Sequence, residues 1–99
     1  MDIKEILKQH QLWLDGEGGE KADLRMADLQ EADLQEANLD YSCWPLWCGT
    51  HSVKVDKRLA VQLATHFCAL DCDDKEYQRA RKSILNFTKQ FHRINEFPV

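Results

Sequence analysis

The chain has 99 residues, 43% hydrophobic and 30% charged, with a formal net charge of −4. That length suits one domain burying about two-thirds of its unfolded surface. The absence of any run of about 18 apolar residues excludes a transmembrane helix. The charge is uneven: residues 1–50 hold 4 basic and 11 acidic side chains, and residues 51–99 hold 9 and 6. The first half therefore repels nucleic acid, and no direct nucleic-acid binding is expected.

The opening Met1-Asp2-Ile3-Lys4-Glu5 lacks the apolar core of a signal peptide, so a cytoplasmic location is expected. Ile3, Ile6, Leu7, His10, Trp13 and Leu14 recur at helical spacing, and Asp2 with Glu5 forms a capping box. This predicts a helix over 2–14. Gly16, Gly18 and Gly19 end it in a hinge. The glycines do not read as a phosphate loop, because the Lys-Ser/Thr of that motif is missing and the flanks are acidic.

Residues 22–41 then read Ala-Asp-Leu-Arg-Met, Ala-Asp-Leu-Gln-Glu, Ala-Asp-Leu-Gln-Glu, Ala-Asn-Leu-Asp-Tyr. A fixed short period signals a solenoid. A helix returns to the same face every ~3.6 residues and a strand every ~2, so neither fits this spacing. The chain must turn once per unit, with Ala22, Ala27, Ala32, Ala37 and Leu24, Leu29, Leu34, Leu39 facing inward. One coil rises only about 5 Å and cannot stand alone, so the rest of the chain or a second copy must complete its core.

Beyond the repeats, Cys43-Trp44-Pro45-Leu46-Trp47-Cys48-Gly49 is turn-rich and strongly apolar. Trp44, Leu46 and Trp47 are expected to plug the repeat stack or to meet a symmetry mate. Asp56 caps a helix over 57–70 with Leu59, Leu63, Phe67 and Leu70 inward. Asp73 and Glu76 open another over 74–92, with Tyr77, Ala80, Ile84, Leu85 or Phe87, and Phe91 inward.

The repeats resemble the pentapeptide-repeat family, with consensus A(D/N)LXX. The resemblance implies a short right-handed quadrilateral β-helix of one to two coils over 17–46. With the capping helix 2–14 and the helical tail 57–92, it gives an α+β fold in a single domain, 1–99. The Cys43–Gly49 segment is also similar to small bacteriophage and prophage proteins that pair pentapeptide repeats with a helical tail. That second resemblance implies a phage-type accessory protein acting in a bacterial host cell.

The residues that carry function follow from these elements. Asp28, Glu31, Asp33, Glu36 and Asp40 form an acidic row that would bind a host protein complex, as an anti-CRISPR-like inhibitor or by imitating DNA. Size weighs against duplex mimicry: a B-DNA turn spans about 34 Å, while one or two coils span about 5–10 Å. A solvated acidic face imposed by the repeat is the plainer reading. A homodimer is expected, with the basic last helix able to pair with an acidic repeat face.

An alternative is a pocket at the dimer interface in which Arg79, Arg81, Lys82 and Arg93 hold a small anionic nucleotide. A structural virion accessory is a further alternative. No cofactor is expected. Cys43, Cys48, Cys68 and Cys72, with His51 and His66, offer thiol and imidazole ligands for zinc, but not at CxxC spacing. In a cytosolic chain they read as free thiols, with Cys68 packed as a small hydrophobe. No orienting third group accompanies a Cys–His pair, so an enzyme is not expected.

Overall fold

The computed structural model describes residues 2–99, and its contacts fall into two compact units divided between Val55 and Asp56. The first unit opens with helix α1 (Ile3–Leu14). Asp2 caps it by accepting from the Lys4 and Glu5 amides at 3.1 and 3.4 Å. Helix α1 ends at Asp15, and the chain folds back along it: the Glu17 amide bonds Leu12 C=O at 2.9 Å and the Glu20 amide bonds Gln9 C=O at 3.2 Å. Gly19 makes this return possible. Its φ is +75°, and a Cβ there would run into the Gln9 carbonyl and Leu12.

The repeats form a coil of hydrogen-bonded turns. The amides of Ala27, Ala32, Ala37 and Ser42 bond the carbonyls of Leu24, Leu29, Leu34 and Leu39 at 2.9, 2.9, 3.1 and 3.0 Å. In the last three turns the third residue has positive φ: Glu31 62°, Glu36 67° and Tyr41 66°. That places them in the type II class. Leu24, Leu29, Leu34 and Leu39 are all buried, as are Ala22 and Ala27.

The expected quadrilateral β-helix is not formed. Among the described residues there is no strand or sheet, only two isolated parallel bridges, Asp23 with Cys43 and Asp33 with Lys54. Each unit uses Leu-X-X-Ala for its turn, so too little extended chain remains between corners for consecutive ladder bonds. The fold is therefore helical, with a coil of turns, and the α+β assignment is corrected with it.

The Trp-rich segment continues the coil as a second pass. The amides of Leu24, Leu29 and Leu34 donate to the carbonyls of Cys43, Gly49 and Lys54 at 2.8, 2.7 and 2.8 Å. Cys43 and Lys54 donate back to Ala22 and Ala32. Pro45 is fully buried, while Leu46 is 99% exposed and Trp47 47% exposed. At Gly49 the two passes come so close that a Cβ would strike the Ala27 carbonyl and the Trp47 ring. A short 3-10 turn, Cys48–Thr50, sits at this point.

The second unit is an antiparallel helix pair, α2 (Lys57–Cys68) and α3 (Lys75–Thr88), followed by a 3-10 turn at Ile94–Glu96. The start of α3 meets the end of α2, where Tyr77 Oη donates to the Phe67 carbonyl at 2.6 Å and reaches that of Leu70 at 3.2 Å. Arg81 and Cys68 link the helices reciprocally: Nε donates to the Cys68 carbonyl at 2.8 Å and Sγ to the Arg81 carbonyl at 3.9 Å. The cap of α3 is Asp74 rather than Asp73, since it is Asp74 that reaches the Tyr77 amide, at 2.9 Å. The buried residues of α2 are Leu59, Val61, Gln62, Thr65 and Cys68, whereas Phe67 and Leu70 lie exposed. The inward stripe is thus rotated from the expected one.

His10 ties the first unit together. It is completely buried; Nδ1 accepts the Ala22 amide at 2.9 Å and Nε2 lies 2.8 Å from the Asp40 carbonyl. An amide only donates and a carbonyl only accepts, so the proton sits on Nε2. His10→Ala leaves two buried polar groups unpaired and opens a cavity, and should cost about 2–4 kcal/mol in urea unfolding. A loss below about 1 kcal/mol would show that α1 is held by its apolar contacts alone.

Candidate functional site: the acidic face of the coil

The outward side chains of the repeats divide into two chemical roles. At the second position of each unit, the side-chain Oδ1 accepts the amide two residues on. Asp23 takes Arg25 at 3.2 Å, Asp28 takes Gln30 at 3.1 Å, Asp33 takes Gln35 at 3.0 Å and Asn38 takes Asp40 at 3.1 Å. These are Asx turns, which explains why the position alternates only between Asp and Asn. They fix each carboxylate in direction, with Oδ1 tied to the backbone.

The fifth position is different. Glu31 and Glu36 occupy left-handed conformations that favour Gly or Asn. Both are exposed, as are Asp28 and Asp33. Asp40 is buried, with its carbonyl held by His10, so it does not belong to the exposed row. At the start of the coil Asp23 is bound by Arg25 at 2.6 and 2.8 Å. Hydrogen bonds from Arg25 hold its carboxyl below the usual aspartate value.

Exposed apolar side chains accompany this acidic face. Met26 is 91% exposed, Leu46 99%, Tyr41 51% and Trp47 47%. The second pass runs twenty residues behind the first at the Asp23–Cys43 bridge and twenty-one behind at Asp33–Lys54. Sequence reasoning placed Trp44, Leu46 and Trp47 in one group; the structure separates them, with Trp44 half-buried and Leu46 fully outward. Met26 was missed. Its signal was a large apolar residue at an outward repeat position.

An open hollow of about 330 Å³ lies beside α1, lined by Glu5, Ile6, Gln9, Glu20, Lys21, Ala22 and Asp23. Its carboxylates disfavour an anionic ligand. The four cations considered for nucleotide binding are not equivalent. Arg81 is committed to the Cys68 carbonyl, and Arg93 pairs with Glu96 at 2.7 Å and lies 5.7 Å from the Phe91 ring centre. Arg79 and Lys82 are exposed. The cysteines are all free thiols, and among the described residues no group of three or more His, Cys, Asp or Glu is arranged to hold a metal ion. Among the described residues no helix is long and apolar enough to cross a membrane.

In the second unit, His66 packs edge-on to Phe97 at 4.8 Å. Burial, then the nearby Arg93 charge, lowers its pKa below the ordinary 6.5. Comparison of the chain with family models, with curated proteins and with solved structures found no match.

Two outcomes are expected. Asp28→Ala should cost about 0.5–1.5 kcal/mol by loss of the turn bond, whereas Asp28→Asn should cost under about 0.5 kcal/mol; equal losses would refute the Asx role. For His66, the unfolded chain binds the proton more readily, so stability rises with pH up to about 6.5 and falls as the pH drops below it. Urea midpoints at pH 7.5 and 5.5 should differ more for the native chain than for His66→Gln. Identical pH dependence in the two would contradict the assignment.

Proposed function

We propose that this chain is a non-enzymatic binding protein whose coil presents a fixed acidic surface, bordered by exposed apolar side chains, to a cationic face of a protein partner. The observation that carries the reading is the outward row Asp28, Glu31, Asp33 and Glu36. Two of its carboxylates are oriented by the turns, and the other two stand at exposed left-handed corners. Rigid placement reduces the entropy lost on binding. Complementary charge steers the encounter, and a flanking apolar group such as Leu46 or Trp47 supplies contact area once water is excluded.

The resemblance to phage proteins gives the partner its class: a protein complex of the bacterial host, engaged in defence or DNA processing. Nucleic acid is disfavoured as a ligand of this face by its sign.

The test neutralises the face without disturbing the turns. Charge reversal at Asp28 and Asp33 would break the Asx bonds, so the variant is Asp28→Asn, Glu31→Gln, Asp33→Asn and Glu36→Gln. It should keep the native circular dichroism and melting behaviour, yet lose the partner that the native chain captures from bacterial lysate at low salt. Retained capture would remove the acidic face from consideration. A second substitution, Leu46→Ala, should change stability by less than about 0.5 kcal/mol, since the side chain touches solvent alone. It should weaken capture if the apolar border takes part; unaltered capture would confine binding to the carboxylates.

A further inference from the structure

Helix α3 carries a charged surface that its own unit leaves open. Lys75, Arg79, Lys82, Asn86 and Lys89, the last of them the C-cap, follow one another at steps of four, three, four and three residues. At about 100° and about 1.5 Å per residue, they share an arc of about 80° and a row about 21 Å long. All five are exposed, and among the described residues none of the four cations enters an ion pair. The opposite side of the helix is committed to α2, where Tyr77 Oη bonds the Phe67 carbonyl and Arg81 Nε the Cys68 carbonyl. Glu76 is the one carboxylate of the helix, and it stands about 100° round from Lys75.

The make-up of this face selects among anionic partners. A protein interface is anchored by apolar or aromatic side chains at a desolvated centre, and an interfacial helix needs an apolar face to enter a bilayer. The row offers neither: the exposed residues among and beside its cations are Gln78, Ser83 and Asn86. Contacts to nucleic acid are polar, cationic and wet, and a phosphate asks only for donors. Single strands are gripped by stacking their bases on aromatic rings. The two aromatic residues of α3, Tyr77 and Phe87, are half-buried and lie off the row. The chemistry that remains is that of duplex phosphates.

We propose that the exposed row of α3 is a sequence-independent binding site for the phosphate backbone of duplex DNA. Over about 21 Å one strand presents about six phosphates, at about 3.4 Å of axis each, to the four cations. Asp71, Asp73 and Asp74 precede the helix and weaken the positive field at Lys75, so Arg79, Lys82 and Lys89 carry most of the contact. The expectation against nucleic acid came from the acidic first half of the chain. Residues 56–99 hold 8 basic and 6 acidic side chains, and the row lies wholly within them. This site belongs to the second unit and stands or falls without the coil face.

The experiment is fluorescence anisotropy of a short labelled DNA duplex of mixed sequence, titrated with the full chain. The native chain should bind with a Kd of about 10–100 µM at about 50 mM salt. With three to four phosphates neutralised, affinity should fall about sixtyfold by about 200 mM salt. A variant carrying Lys82→Gln and Lys89→Gln should bind at least about tenfold more weakly and show a salt slope lower by about 2. Glutamine keeps the helix propensity of lysine, and circular dichroism checks that the variant is folded. The charge-matched control, Lys4→Gln with Lys8→Gln on α1, should bind within about twofold of native. No binding by the native chain at low salt overturns the proposal, as does equal weakening by the two variants. Tighter binding to the single strand, to polyglutamate or to phosphatidylserine vesicles overturns the choice of duplex DNA. A duplex of different sequence bound more than about tenfold more tightly or weakly overturns the sequence-independent contact.

Discussion

The imidazole of His10 receives the chain at both ends of the first pass, accepting from Ala22 where the repeats begin and donating to Asp40 where they close. Twenty residues of turns would otherwise start and stop with buried backbone groups unpaired, and such groups are costly in a low-dielectric interior. A single neutral side chain satisfies both because its two nitrogens have opposite roles. Helix α1 exists in this fold to aim that ring. Its Asp2 cap and the Gly19 return hold the helix against the coil, and Trp13 stacks on the ring at 5.7 Å.

From there the coil is held by a sparse set of bonds. Leu24, Leu29 and Leu34 each give one amide to the second pass, and Asx turns stiffen the corners between them. The repeat thus requires Asp or Asn at its second position for a local reason, and the negative charge of Asp28 and Asp33 follows in part from backbone chemistry. Glu31 and Glu36 do not share that reason. A left-handed residue is easier for glycine by about 1 kcal/mol, so glutamate there runs against the local backbone preference.

Much of this was legible in the sequence because it depends on local rules. The amphipathic stripe located α1 and placed His10 on its inner face, and the period of five located the four buried leucines of the coil. The helices of the second unit were also legible from their caps, to within a residue at Asp74. What failed needed information beyond the period. The repeat alone does not say that turns leave too little extended chain for strand pairing, so a β-helix was expected where only isolated bridges form. Nor does apolarity say which way a tryptophan segment faces. Pro45 took the buried place and Gly49 the close approach, which left Leu46 in solvent.

That last inversion connects the core to the surface. A coil of one pass exposes its pairing groups on both sides, and the segment Cys43–Val55 covers one of them by running twenty to twenty-one residues behind it. Within that segment Pro45 turns inward and Gly49 makes the close approach, while Leu46 and Trp47 face out. The outward Leu46 and Trp47 thus lie on the same segment whose backbone pairing closes the coil.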